Sequence, residues 1–270
     1  MEIRKCWVGL VAAGIIALAA HTTPAQSRAS LGSPLPERWK ADLPGGVKME
    51  FVLVRPGTVA MGSEKGEDDE KPIHKVTFNR PFYMGQQEVT QAQWKAIMGE
   101  NPSNFKGDDL PVENVSWTDC QAYLLKLQEK LPGGVIGRLP SEAEWEYACR
   151  AGGTKEFSEG DDGTCIADYA WTVVNSEHKT HRGASKKANK WGLYDMHGNV
   201  WEWCEDWYDE RYYENSPPNN PQGPPEGDRR IIRGGSWGYF PEWGRAAYRN
   251  WSSPDVRHSD VGFRIVCEVR

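Results

Sequence analysis

The stretch GLYDMHGNVWEWCEDWY, residues 192–208, sets tryptophans, tyrosines and acids around two glycines and an asparagine. In an extended segment, residues two apart direct their carbonyls to the same side. Gly198, Val200 and Glu202 therefore present two backbone oxygens and a carboxylate together, and Asp195, just before the turn, adds a second carboxylate. Hard oxygen donors of this mixed kind suit calcium, at about 2.3–2.6 Å, better than zinc or copper. A metal-free reading uses the same residues: Asp195 caps the DMHG turn and Glu202 pairs with an arginine. Spacing alone does not choose between the two.

Downstream, residues 230–264 interleave arginines 245, 249, 257 and 264 with Trp237, Tyr239, Trp243 and Trp251, after a Gly234–Gly235–Ser236 step. Such interleaving makes either a pocket for an acidic or aromatic ligand or a core stitched by cation–π contacts. The strand-like context of Arg249 and Arg264 favours the core for those two. Upstream, three helices announce their starts. Thr90 stands three residues before Gln93 and Ser141 three before Glu144, and each pair reads as a capping box; Ser116 opens WTDCQAYLLKLQEKL. Gly99 and Gly152 read as stops. In the last helix Trp145, Ala148 and Cys149 face inward at helical spacing. Residues 49–63 read as two strands around Pro56 and Gly57, HKVTFNRPFYMG as a further strand, and GFRIVCEV as the closing one. After Gly152 no helix of any length is expected.

With 28 Gly, 18 Pro and 13 Trp, the chain of 270 residues spends much of its length in loops around an aromatic core. A net charge of −6 without a Lys/Arg-rich run leaves no footprint for nucleic acid. The sequence holds no GxGxxG, P-loop, HExxH, CxxC or GxSxG pattern, which removes most common enzyme classes. His178 and His181 lie close enough to share a metal, but no cysteine or carboxylate cluster adjoins them, and a solvated loop is the expectation. The N-terminus carries Arg4 and Lys5, an apolar run from Trp7 to Ala20 and then small residues, the pattern of a cleaved secretory signal over residues 1–25. That run is shorter than the about 20 apolar residues of a membrane span. Secretion or a periplasmic location follows, and with it an odd set of five cysteines, Cys120, Cys149, Cys165, Cys204 and Cys267. Residues 26–44 read as a linker and residues 45–270 as one domain.

In order along the chain, EVTQAQW, VSWTDC, RLPSEAEWEYACRAGG, WGLYDMHGNVWEWCEDW, RGGSW and GFR resemble the sulfatase-modifying factor family, whose namesake is the formylglycine-generating enzyme. The resemblance implies an α+β domain of C-type-lectin-like topology, poor in regular secondary structure and stabilised by calcium. It places calcium ligands on Asp195, the carbonyls of Gly198 and Val200, and Glu202. A second family calcium site falls near Tyr169 and Ala170, where the ligand asparagine is missing. It also implies a substrate cleft at Trp201, Ser236, Arg249 and Asp260, the last an acid in place of an amide.

The namesake oxidises a substrate cysteine on copper(I) held by two cysteines that follow the GGS motif. Here no cysteine lies between Cys204 and Cys267. Soft thiolates are what hold copper(I), so copper is not expected. Other branches of the family perform iron-dependent sulfoxide synthesis, mature small molecules outside the cytoplasm, or only display binding loops. The expected function is a divergent maturation enzyme acting on a protein, peptide-like or small-molecule partner in the cleft. The alternative is a non-catalytic, lectin-like binding module using residues 238–243 and 250–260.

Overall fold

The computed structural model describes residues 34–158, 160 and 166–269. The signal read at residues 1–25 lies outside them. Strand β1, Arg38–Asp42, corrects the reading of residues 26–44 as a linker: it pairs antiparallel with β2, Lys48–Val54. Alternation there is masked because β1 holds one buried residue, Ala41, among charged neighbours. Strand β3, Gly57–Met61, follows the Pro56 turn as expected. HKVTFNRPFYMG, read as one strand, forms two, β4 His74–Phe78 and β5 Phe82–Gly85, broken at Asn79–Pro81. The β4 strand pairs with β3 as a separate hairpin, whereas β5 enters the main sheet.

The three capped helices form where Thr90, Ser116 and Ser141 predict, and Ser116 adds a third capping box, with Asp119, that the sequence reading does not name. They are α1 Gln91–Met98, α2 Trp117–Gln128 and α3 Glu142–Arg150, each with both reciprocal capping bonds. Helix α3 ends at Ala151, which takes the left-handed conformation one residue before the expected Gly152. Beyond it the only helix with an α-helical pattern among the described residues is the single turn α4, Ile166–Tyr169.

The remaining strands are β6 Val135–Arg138, β7 Trp201–Trp207, β8 Arg230–Arg233, β9 Asn250–Ser252, β10 Val261–Gly262 and β11 Val266–Val269. A five-stranded antiparallel sheet runs β1-β2-β5-β11-β6, so the end of the chain pairs inside the sheet that its start opens. A second sheet, β10-β7-β8-β9, holds β10 parallel to β7. Around α1 and α2, Trp94 stacks on Tyr123 at 5.2 Å and Phe263 meets both rings edge-on.

Every residue of α3 is buried, where periodicity predicts only one inward face. Its charges survive burial because each is paired. Glu142 binds Arg249 (2.8 Å), Glu144 binds Arg138 (2.6 Å), and Glu146 binds both Arg150 (2.8 Å) and Arg233 (2.5 Å). Removing one partner from such a pair costs about 3–5 kcal/mol, because a charge is left without compensation. The expected core role of Arg249 is thereby met. Arg245, Arg257 and Arg264 are also paired, with Glu70, Asp119 and Glu202. The four described cysteines are buried free thiols; Cys165 lies outside the described residues.

Candidate functional site

Strand β7 brings the opening motif into the interior. Glu202 accepts from Arg264 Nη2 (2.5 Å) at one oxygen, and from Arg264 Nε (2.6 Å) and Trp145 Nε1 (2.7 Å) at the other. The same guanidinium donates to the carbonyls of Gly85 (3.1 Å) and Tyr194 (2.9 Å). The arginine partner foreseen for Glu202 is thus Arg264.

Two further acids share this interior. Asp195 sits in the left-handed conformation (φ 59°); Oδ2 accepts the Ala184 N–H (2.8 Å), and Oδ1 is buried with no partner. Glu88 is fully buried and accepts from Asn199 Nδ2 (3.0 Å) and the Val200 N–H (3.3 Å). Burial raises the Asp195 carboxyl to about 6. Burial, with the charges of Asp195 and Glu202, raises Glu88 well above the carboxylate range. Three carboxylates against the single Arg264 guanidinium is an acid surplus, and together with the unpartnered Oδ1 it fits a divalent cation in charge and donor type. Among the described residues no three His, Cys, Asp or Glu side chains form a ligand group. The expected set needs only two side chains, since carbonyls supply the rest. At Gly198 a Cβ would lie 2.4 Å from the Trp171 carbonyl oxygen, so only glycine fits this turn; with Asn199 at φ 69°, residues 198–200 bend, and the extended segment expected there begins only at Trp201.

Ser236 and Asp260 come together on the other side of β7. The Ser236 hydroxyl donates to Asp260 Oδ2 (3.1 Å), and the Trp201 N–H donates to the Asp260 carbonyl (2.8 Å). The turn that delivers Ser236 depends on Gly235, whose φ is +74° and whose missing Cβ would meet Gly244 Cα at 3.0 Å. Burial raises the Asp260 carboxyl and the Ser236 bond lowers it. Arg249, expected beside them, points away. It pairs with Glu142, donates to the carbonyls of Asp69 (2.8 Å) and Asp209 (3.2 Å), and lies 4.2 Å from the Tyr213 ring centroid.

Sequence reasoning misses Glu88 and Glu113. Glu113 is fully buried, accepts the Phe105 N–H at Oε1 (2.8 Å) and leaves Oε2 without a partner. Burial raises it to about 7, and it feels the charge of Asp260. A carboxyl that titrates near neutrality can give or take a proton. His181 stacks on Trp171 at 3.7 Å and its Nε2 meets the Ser176 carbonyl (2.7 Å).

A mixed α/β domain of curled sheets with few helices defines a fold class, and the comparisons agree with it. The sequence profile of the sulfatase-modifying factor enzyme 1-like domain matches residues 43–269, and the chain belongs to this family. It is 30% identical to the formylglycine-generating enzyme of Streptomyces coelicolor, over 94% of this chain and 95% of that one. Among solved structures it is similar to Treponema denticola variable protein 1, with a TM-score of 0.80 and 31% identity over 86% of this chain and 99% of that one. PvdO from Pseudomonas aeruginosa gives a TM-score of 0.73 and 29% identity over 82% and 94%. The α+β, C-type-lectin-like architecture with few helices is that of these neighbours.

His197 gives the site a measurable pH signature. It is buried; its Nδ1–H donates to the Gly244 carbonyl (2.7 Å), while Nε2 accepts the Ser158 N–H (3.0 Å) and hydroxyl (2.8 Å). Burial lowers its pKa from 6.5 to about 4. Between those values the unfolded chain binds a proton at this residue and the folded chain does not, so stability falls as pH drops, by about 1.4 kcal/mol per unit. Glu88 and Asp206, raised by burial, act in the opposite sense. The stability difference between wild type and His197→Gln isolates the histidine in urea titrations. It should shrink as pH falls from 6.5 to 4, and a constant difference would contradict this assignment.

Proposed function

We propose that this protein is a secreted maturation enzyme of the formylglycine-generating-enzyme type that modifies an extracytoplasmic protein or peptide-like substrate. The observation that carries this reading is the Ser236–Asp260 hydrogen bond beside Trp201. It gives a carboxylate, oriented by a hydroxyl, at the position the family uses as its cleft. Asp260 takes a proton from the bound substrate, and Ser236 fixes the direction in which its free lone pairs point. Arg249 serves from outside the cleft by holding Glu142. Secretion is supported by the leader-like pattern of residues 1–25, and no helix among the described residues is long and apolar enough to cross a membrane.

The route does not use a copper dithiolate. After Ser236 the chain offers Trp237, Gly238, Tyr239, Phe240, Pro241, Glu242 and Trp243. The described thiols are buried elsewhere, and burial raises each of them, Cys149 and Cys267 to about 12. A thiol held protonated is a poor soft-metal ligand.

Calcium is the structural cation of this reading, held by Asp195, the carbonyls of Gly198 and Val200, and Glu202, with Glu88 adding negative charge. Its contribution is charge balance in an interior with more acid than base. A native-state ligand stabilises by about 2.7 kcal/mol at a hundredfold excess over its Kd. Chelation should lower the Tm of the wild type, and Asp195→Asn should lose that response. Asp195 is the informative site, because Glu202 also holds Arg264 and its loss would destabilise the fold with or without the ion. Equal responses in both proteins would overturn the assignment.

The enzymatic reading is tested by comparing masses of exported proteins and peptides from a deletion strain complemented with wild type or with Asp260→Asn. A species whose mass changes only with wild type is the expected result. The purified protein should leave a peptide with the sulfatase cysteine motif unoxidised in copper(I) and oxygen. Identical profiles for both complemented strains would reject catalysis in favour of binding alone, and oxidation of the peptide would reject the copper-free route.

A further inference from the structure

Four aromatic rings close a circuit next to the Ser236–Asp260 pair. Trp201 meets Tyr239 at 5.4 Å, Tyr239 meets Trp243 at 5.0 Å, Trp243 meets Tyr248 at 5.4 Å, and Tyr248 returns to Trp201 at 6.1 Å. The circuit is graded in depth: Trp201 is 1% exposed and forms the floor, whereas Trp243 is 36% exposed at the rim. Phe240, 58% exposed, follows Tyr239 in the chain. Trp201 is hidden beneath the circuit, while Tyr239 and Tyr248 are partly open and Trp243 is exposed to solvent.

Short backbone bonds hold the rim in place. The Tyr239 N–H donates to the Ser236 carbonyl (3.2 Å), the Trp243 N–H to Phe240 (3.1 Å), and the Val173 N–H to Tyr239 (2.9 Å). The rings are therefore fixed before any ligand arrives, which lowers the entropy lost on binding.

Acids lie near the circuit, with Glu70 balanced by Arg245, and with Asp260 and Glu67 left to supply negative charge. Asp260 raises the Tyr239 phenol after burial does, and Glu67, Asp69 and Glu70 do the same for Tyr248. The nearby cations are already neutralised. Arg245, 5.5 Å from the Tyr248 centroid, is held by Glu70 through both terminal nitrogens (2.6 and 2.8 Å) and by Glu156 (3.1 Å), and Arg249 is held by Glu142. An anionic ligand would meet acids with no spare guanidinium. A cation would meet ring faces, whose quadrupole is negative at the centre, within the about 6 Å over which that attraction acts.

We propose that Tyr239, Trp243 and Tyr248, backed by the buried Trp201, form a seat for the cationic group of the ligand, an alkylammonium or a guanidinium, with Asp260 as its counter-charge. The proposal rests on the cleft reading above and specifies its substrate class. The group comes either from a small amine or from a lysine or arginine side chain of a peptide, and the two are separable by experiment.

The test is calorimetric titration of the mature chain with choline, with its neutral carbon isostere 3,3-dimethyl-1-butanol, and with blocked lysine and arginine amides. At least one cation should bind, and the isostere should bind choline's site about tenfold or more weakly than choline where choline is the cation bound. Preference for choline marks a small amine, and preference for the blocked amides a peptide side chain. Trp243→Ala should weaken the preferred cation about tenfold or more, while Trp243→Phe keeps most of the affinity. Trp243 is on the rim, so an unchanged Tm confirms that the variants fold. No binding by any cation, equal binding by the isostere in place of choline, or an unaffected Trp243→Ala would each overturn the proposal. Cation binding without any Asp260-dependent mass change would retain the seat and reject the catalytic reading; the mass change without cation binding would do the reverse.

Discussion

Glu202 and Arg264 meet in a fully buried, two-pronged ion pair, and the chain is arranged around what that pair requires. A charge without compensation in this interior would cost several kcal/mol, so every remaining donor of Arg264 and the second carboxylate oxygen must find partners. They find them in Trp145 of α3 and in the carbonyls of Gly85 and Tyr194. Those three attachments come from segments spread over most of the domain. One ion pair therefore sets the relative positions of α3, the end of β5, the turn before β7, and the strand that follows Phe263.

The Ser236–Asp260 hydrogen bond inherits its geometry from the same clamp. Trp201 and Asp260 lie close in sequence to Glu202 and Arg264, on β7 and just before β10, and those two strands run parallel in register, Trp201 opposite Val261 and Glu202 opposite Gly262. The Asp260 carbonyl takes the Trp201 N–H as the next rung. Fixing the ion pair on one side of β7 thus fixes the Ser236–Asp260 hydrogen bond on the other. The acid surplus at Glu88 and Asp195 sits against the clamp, which is why a cation there would bear on the whole domain and not on one loop.

Much of this is legible in sequence where the signal is local. Capping boxes at Thr90 and Ser141 announce their helices because a reciprocal pair of side-chain bonds spans only three residues. The extended run assumed for Gly198 to Glu202 begins only at Trp201, because Asn199 takes the left-handed conformation (φ 69°) that a two-residue alternation cannot reveal. Glu88 and Glu113 escape because nothing near them in sequence marks a buried acid; Glu88 meets Asn199 across 111 positions. Helix α3 reads as amphipathic because its glutamates look solvated, and only the arrival of Arg138, Arg233 and Arg249 from distant segments allows them inside. Arg249 was placed in the cleft by resemblance, but its side chain is committed to Glu142 instead. Strand β1 is not legible because its single buried side chain leaves no alternation to see.

The central claim is that the Glu202–Arg264 pair is the interaction on which the domain's assembly depends, and a double-mutant cycle tests it most directly. Unfolding free energies would be measured for wild type, Glu202→Gln, Arg264→Met and the double variant under one set of conditions. Each single change should destabilise strongly, and the double change much less than their sum, with a coupling energy above about 2 kcal/mol. Additive effects, with a coupling energy near zero, would show that the two residues are merely adjacent and that the fold is held elsewhere.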